Sequence, residues 1–321
     1  MTEIKILEII NYYRSIGDIN INIQGYKIEY IIRITKYCNE WCLFCSTNLT
    51  KTEIEFLILK EIINYAISKY KEYSITFCLS WWEPTLYSQF HDLIDYLYHN
   101  GCFIKVQTNA VLFASPLFIK KYLPYKDKIR FFVSFHSHIC KVYNMLTQST
   151  HYSKAIKWII HLYQNFPHWS VKLNLVINKY NYNQYWEYLV FLKKVFWPFT
   201  WRIHLVFSII YPNKSNHKKF LVPYDCIVQL INLHPHSFNN DITIDYGFWW
   251  FCQLPYCFFS QLVINRWEVI PIGVDVNVWD ENMMKTTKCA QCVYQQKCMG
   301  IPKIYFEQFW ESAIIPITWE I

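Results

Sequence analysis

The chain has 321 residues, of which 53% are hydrophobic and 17% charged, with a net charge of +7. That length and apolar content can build a sizeable core and exclude a disordered chain. No apolar run approaches the roughly 18–20 residues of a membrane-spanning helix, and the basic residues are scattered rather than striped, so neither a membrane nor nucleic acid is expected as a partner.

Residues 1–29 read as a lead-in helix (EIKILEIINYY) and a short extended arm, with acids inside the apolar stretch and hence no secretion signal. From residue 30 strand-like runs alternate with amphipathic helical stretches. The strands are EYIIRIT, YSITFCLS, CFIKVQTN, KIRFFVSF, VKLNLVIN and RIHLVFSI. Between them lie TEIEFLILKEIINYAISKY, YSQFHDLIDYLYHN, PLFIKKYL, YSKAIKWIIHLYQNF and NQYWEYLVFLKKVF. Six such alternations with near-continuous apolar strands predict an α/β fold, a parallel sheet flanked by helices. Ligand sites of such folds lie at the C-terminal strand ends, where the conspicuous polar clusters of this chain fall. After residue 216 the rhythm breaks; a helix (YDCIVQLINLH) leads into a cysteine-rich tail with an expected hairpin, SQLVINRWEVIPI. The expected divisions are 1–29, 30–216 and 217–321.

Glycine is scarce. Average usage of roughly 7% gives about 22 glycines in such a chain; there are 6, beside 14 tryptophans. Tryptophan also stands where glycine is expected, in CNEWC, in WWEP after a strand, in INRWEV and in YGFWWFC. Some bacteria decode UGA as glycine, and writing such a gene with UGA as tryptophan produces this pattern. Most of these positions are therefore expected to be glycine in the cell, with a tryptophan-rich protein as the alternative.

The chain has 12 cysteines, and without a secretion signal their clusters read as metal or iron–sulfur ligands. Cys38, Cys42 and Cys45 (CNEWCLFC) can hold three irons of a [4Fe–4S] cube and leave the fourth open, whereas four-cysteine sites close the cluster. Zinc, which prefers four tetrahedral ligands, is the competing reading. Cys289, Cys292 and Cys298, with Cys257 or Cys252 upstream, form a second group for which zinc is also chemically sound. Cys78, Cys102, Cys140 and Cys226 stand alone and read as small buried apolar residues. His136 and His138 (FHSH) read as a polar loop near a substrate mouth, with metal binding as the alternative.

CxxxCxxC after the first strand, with Phe44 before the last cysteine, resembles the radical S-adenosylmethionine superfamily. SWWEPTL falls where that family has Ser-Gly-Gly-Glu-Pro-Thr-Leu, VQTNA where it has a Gln-Thr-Asn-Gly strand end, and FFVSFHS where it has a strand ending in Ser. The match covers about residues 28–210. The resemblance implies a partial (β/α)6 TIM-like barrel, with Cys38, Cys42 and Cys45 on a [4Fe–4S] cluster and S-adenosylmethionine as second cofactor. Backbone at Trp81 and Trp82, with Glu83, would hold the methionine amino group. Asn109, Ser134 and Asn174 or Asn178 would line the cofactor, and Phe44 would pack beside the adenine. Genuine indoles at 81 and 82 would obstruct that binding and leave a degenerate, non-catalytic iron–sulfur or zinc protein. CxxCx5C in the tail resembles the twitch and SPASM extensions and implies one auxiliary [4Fe–4S] cluster through Cys257, Cys289, Cys292 and Cys298. A second is not expected, because Pro302 and Ile272 stand where further cysteines would. The implied activity is reductive cleavage of S-adenosylmethionine and hydrogen abstraction from a peptide or protein; small-molecule or tRNA substrates are the alternatives. A flavodoxin- or ferredoxin-like reductant and a cytoplasmic, low-oxygen setting complete the expectation.

Overall fold

A computed structural model describes residues 2–48, 50–233, 241–246, 255–259, 282–296, 298, 300–309, 314 and 316–318. The chain divides into two compact units: Met1–Trp41, Thr47–Phe135 and Thr147–Leu173 form the first, and Cys42–Ser46, His136–Leu146 and Asn174–Ile321 the second.

In the first unit, α1 (Glu3–Ser15) starts where the Thr2 hydroxyl accepts the Lys5 N–H, satisfying one of the orphan donors of a helix start. Strand β1 (Ile19–Gln24) and β2 (Lys27–Ile32) pair antiparallel around Gly25, whose φ of 54° lies in the left-handed region. The expected extended arm is thus the outer strand of a hairpin. Parallel pairing then joins β2 to β3 (Ser74–Leu79), β3 to β4 (Phe103–Thr108) and β4 to β5 (Ile129–Ser134). The connecting helices α2 (Phe56–Lys69), α3 (Phe90–His99) and α4 (Pro116–Tyr122) bury one stripe each. In α2 that stripe is Leu59, Ile62, Ile63 and Ala66, the three-and-four spacing of one helix face. Phe131 on β5 is fully buried between Phe113 and Phe166, both edge-on at ring-centroid distances of 5.0 and 4.9 Å. Helix α5 (Cys140–Thr147), which the sequence reading omitted, precedes α6 (Tyr152–Asn165).

In the second unit, α7 (Tyr185–Phe196) buries Tyr188, Leu189 and Leu192, and β7 (Ile203–Ile209) pairs in parallel with β8 (Ile242–Tyr246), a strand the sequence reading missed. Strand β6 (Val171–Ile177) alternates buried and half-buried residues along its length. Helix α8 (Tyr224–Leu233), the short α9 (Tyr256–Phe259) and α10 (Lys303–Phe309) follow, with β9 (Met283–Met284) and β10 (Ile301–Pro302) paired antiparallel. The Tyr224 and Tyr305 rings stack 3.8 Å apart, and the Tyr305 hydroxyl accepts the Tyr224 N–H. The expected hairpin at 260–272 lies outside the described residues, as do Cys252 and Ile272.

Cys78 and Cys102 are buried as expected, but Cys140 is exposed and Cys226 half-buried. Cys140 opens α5, and Cys226 lies off the α8 face that buries Tyr224, Ile227, Val228 and Ile231; one residue's polarity carries no information about helical phase. Among the described residues no helix is long and apolar enough to cross a membrane. Truncation of Phe131 to Ala empties the centre of the first unit's aromatic packing and is expected to cost about 3–5 kcal/mol, read as a lowered urea midpoint at unchanged slope.

Candidate active site

The polar clusters lie at the C-terminal ends of the parallel strands. The cysteine loop follows β2, Trp81 to Glu83 follow β3, Asn109 follows β4, and Ser134 closes β5.

Glu83 is the best-anchored of these residues. Its carboxylate is fully buried; Oε1 accepts the Thr85 N–H (3.2 Å), the Thr85 hydroxyl (2.5 Å) and the Thr108 hydroxyl (2.7 Å), and Oε2 accepts the Asn109 N–H (2.7 Å). Burial pushes this carboxyl up from the usual carboxylate range, and the four donors oppose the push. Its own N–H donates to the Tyr37 carbonyl at 3.1 Å, so the turn after β3 is tied to the cysteine loop. Asn109 makes the next link. Its Nδ2 donates to Asn39 Oδ1 (2.6 Å) and faces Cys38 Sγ at 3.8 Å, and its Oδ1 accepts the Val111 N–H. Glu40, also in the loop, is buried with its carboxylate 3.3 Å from His151 Nδ1.

The loop's second half belongs to the second unit. The Cys45 N–H donates to the Cys42 carbonyl at 3.0 Å, and the Leu43 N–H to the Leu146 carbonyl at 2.9 Å. Lys214 Nζ donates to the Cys45 carbonyl (3.1 Å) and Asn213 Nδ2 to the Ser46 carbonyl (2.8 Å). Neither Asn213 nor Lys214 stood out in the sequence, because both act on backbone carbonyls, which leave no residue pattern. Phe44 is buried with its ring perpendicular to that of His136, 4.9 Å between centroids. His136 lies in the loop after β5 as expected, but it is buried rather than facing a mouth: its Nδ1 accepts the Val176 N–H, and burial pushes the ring down to about 4. His138 is half-buried against Tyr188 and Phe191. Asn174 Oδ1 accepts the Ser208 hydroxyl at 2.8 Å, whereas Asn178 is buried in its own turn, accepting the Tyr180 N–H.

Trp81 and Trp82 have φ of 67° and 48°. Left-handed backbone costs an L-residue roughly 1–2 kcal/mol, and glycine almost nothing. Arg33 stacks its guanidinium 3.3 Å from the centre of the Trp81 ring, and Trp82 Nε1 is buried with no hydrogen-bond partner. Ala110, where the resembling family has glycine, is also left-handed at 61°.

The donor set fits an iron–sulfur cluster: Cys38, Cys42 and Cys45 are half-buried thiols on one short loop, none in a disulfide. Among the described residues no three His, Cys, Asp or Glu side chains converge as the ligands of one ion. The turn at 81–82 is different. Its backbone suits close approach of a ligand, but its two indoles do not fit S-adenosylmethionine there.

In the second unit Cys257, Cys289, Cys292 and Cys298 line one pocket. Burial pushes the Cys257 thiol up to about 12, and the nearness of Cys298, Cys289 and Cys292 adds to the push. The Gly300 N–H donates to Cys298 Sγ at 3.4 Å. A Cβ at Gly300 would lie 2.1 Å from the Met284 carbonyl oxygen, so only glycine fits.

The Radical SAM superfamily model matches residues 32–192, half of the chain, and the protein belongs to this superfamily. Membership places it among enzymes. The fold is that of solved radical SAM enzymes. Streptococcus suis SuiB bound to S-adenosylmethionine superposes with a TM-score of 0.61 at 16% identity, over 88% of this chain and 74% of that one. The structure of anSMEcpe with bound AdoMet and Cp18Cys peptide gives 0.58 at 16% identity, over 90% and 92%. SuiB bound to its precursor peptide SuiA gives 0.55 at 16% identity over 75% of this chain, which spans only about half (52%) of that one. No curated protein matches the sequence.

Replacing Glu83 with Gln turns an amide NH2 toward a cluster of donors and is expected to lower stability by about 1–3 kcal/mol, measured by urea denaturation; an unchanged midpoint would refute the anchoring role. His136 predicts a pH dependence. Its folded pKa (about 4) lies below its ordinary 6.5, so the folded state binds fewer protons, and stability present above pH 6.5 is lost as pH falls toward 4. His136→Gln is expected to flatten that part of the stability–pH curve.

Proposed function

We propose that the protein, with glycine in place of the two indoles at 81 and 82, is a radical S-adenosylmethionine enzyme that cleaves this cofactor reductively and abstracts hydrogen from a peptide or protein. The observation that carries the reading is the order of strand-end elements within the matched region: a three-thiol loop after β2, a left-handed turn ending in buried Glu83 after β3, and Asn109 after β4. Cys38, Cys42 and Cys45 would hold three irons of a [4Fe–4S] cluster. When bound, the cluster supplies the low-potential electron for cofactor cleavage, drawn from a flavodoxin- or ferredoxin-like donor in a cytoplasmic, low-oxygen setting. The chain's own residues hold the frame. Glu83 fixes the turn, Asn109 supports the loop at Cys38 and Asn39, Lys214 and Asn213 hold the Cys45 and Ser46 carbonyls, and Phe44 with His136 gives that end of the loop an apolar flank.

A peptide or protein substrate is favoured because two of the matched structures carry peptides, SuiB with SuiA and anSMEcpe with Cp18Cys. We also propose that Cys257, Cys289, Cys292 and Cys298 hold an auxiliary [4Fe–4S] cluster in the region after residue 216. Four thiols pooled in one pocket repel once ionised, and a bound metal group relieves that repulsion. The left-handed tryptophans favour a second reading: with true indoles at 81 and 82 the protein is a non-catalytic iron–sulfur or zinc carrier.

Anaerobically reconstituted, reduced protein carrying glycine at 81 and 82 is expected to release 5′-deoxyadenosine from S-adenosylmethionine, and Cys38→Ala, Cys42→Ala or Cys45→Ala to abolish it. No product from a fully loaded sample would overturn the enzymatic reading. Iron is expected to persist in the triple variant of those three cysteines and to fall away when Cys289 and Cys292 are also changed to Ala; zinc in its place would overturn the auxiliary cluster.

A further inference from the structure

We infer that residues 81 and 82 are glycines in the cell, their codons being UGA decoded as glycine. The inference rests on backbone conformation; only the ligand arm of its test depends on the enzymatic reading. Eight tryptophans fall among the described residues, at 41, 81, 82, 158, 169, 186, 197 and 201. Of these, only Trp81 and Trp82 have positive φ, at 67° and 48°. A bulky side chain in the left-handed region is a true outlier, and two in succession compound it. The four described glycines, Gly17, Gly25, Gly101 and Gly300, all have positive φ; among the other described residues Ala110 and Gln148 share it, neither of them aromatic and neither beside a second such residue. The chain therefore places its glycines in the conformation that 81 and 82 adopt.

Satisfaction of the surroundings points the same way. Ser80, on one side, donates to Gln107 Oε1 at 2.6 Å; Glu83, on the other, receives four donors. Between them the Trp82 indole is buried with its N–H unpartnered, and the Trp81 ring lies under a guanidinium already ion-paired to Asp18 at 3.8 Å. The residues on both sides of the turn are hydrogen-bonded, whereas the buried Trp82 N–H is not. With glycine at both positions the strain vanishes and the backbone between β3 and Glu83 becomes open to a ligand.

Peptide mass spectrometry of the protein isolated from its own cells decides the assignment: the peptide spanning residues 81 and 82 is expected at the glycine–glycine mass, with UGA at both codons of the gene. Tryptophan at either position, or a UGG codon at either, overturns the inference. In parallel, Trp81→Gly/Trp82→Gly protein and protein with both tryptophans are loaded with iron–sulfur cluster and compared by equilibrium dialysis against S-adenosylmethionine. At least tenfold tighter binding by the glycine form is expected. Glycine in the native peptide with no binding by the loaded glycine form would leave the decoding intact and sink the cofactor reading; tryptophan in the native peptide would sink the decoding itself.

Discussion

A carboxylate taken out of water is costly unless donors surround it. Glu83 meets that condition with donors drawn from two strand ends, Thr85 from its own turn and Thr108 and Asn109 from the end of β4. Its backbone N–H reaches the Tyr37 carbonyl, and Asn109 passes the connection on to Asn39 and Cys38. Three loops that are far apart in sequence thus share one hydrogen-bonded frame within the first unit. A reactive group held there would sit on backbone that cannot drift, which is how a site is organised before its ligand arrives. Removing the carboxylate would strand several buried donors at once, so its effect should exceed that of any one of the bonds.

The two cysteine groups obey different constraints. Cys38, Cys42 and Cys45 are held through backbone and amide contacts of their loop, with the sulfurs half-buried. Cys257, Cys289, Cys292 and Cys298 line one pocket, and their mutual nearness raises the cost of ionising Cys257. A loop carrying three thiolates suits a group with one face left for chemistry; four thiols around a pocket suit a group enclosed by protein. The Gly300 N–H donates to Cys298 Sγ, a hydrogen bond that would tune the potential of the proposed cluster.

The strands β2 to β7 and their helices were legible because each carries an apolar run or stripe of the right period and is bounded by turn residues. Strand β1 was not, although ININIQ alternates, because an outer strand with one polar face reads as an extended arm until its partner is known. His136 misled for a related reason: FHSH looks polar as a string, yet strand-end geometry turns that imidazole inward against Phe44 and onto the Val176 N–H. Asn213 and Lys214 were invisible because their partners are carbonyls of Ser46 and Cys45, more than a hundred residues earlier. Cys38 and Glu83 drew attention only through motif order, not through polarity or period.

The turn after β3 shows how far local sequence and fold normally agree, and where they part. Pro84 opens the short 3-10 turn with its ring-fixed φ, Glu83 caps it by accepting the Thr85 N–H, and Tyr87 sends its hydroxyl to the Ile54 carbonyl. Sequences that fold well have such choices in mutual support. Two adjacent indoles in left-handed backbone conflict with the conformation the turn imposes. Arg33 stacks on the Trp81 ring and so offsets part of that strain, but the buried Trp82 N–H has no hydrogen-bond partner. The backbone at 81 and 82 is dictated by the strand ends around it, so the misfit belongs to the side chains and not to the turn.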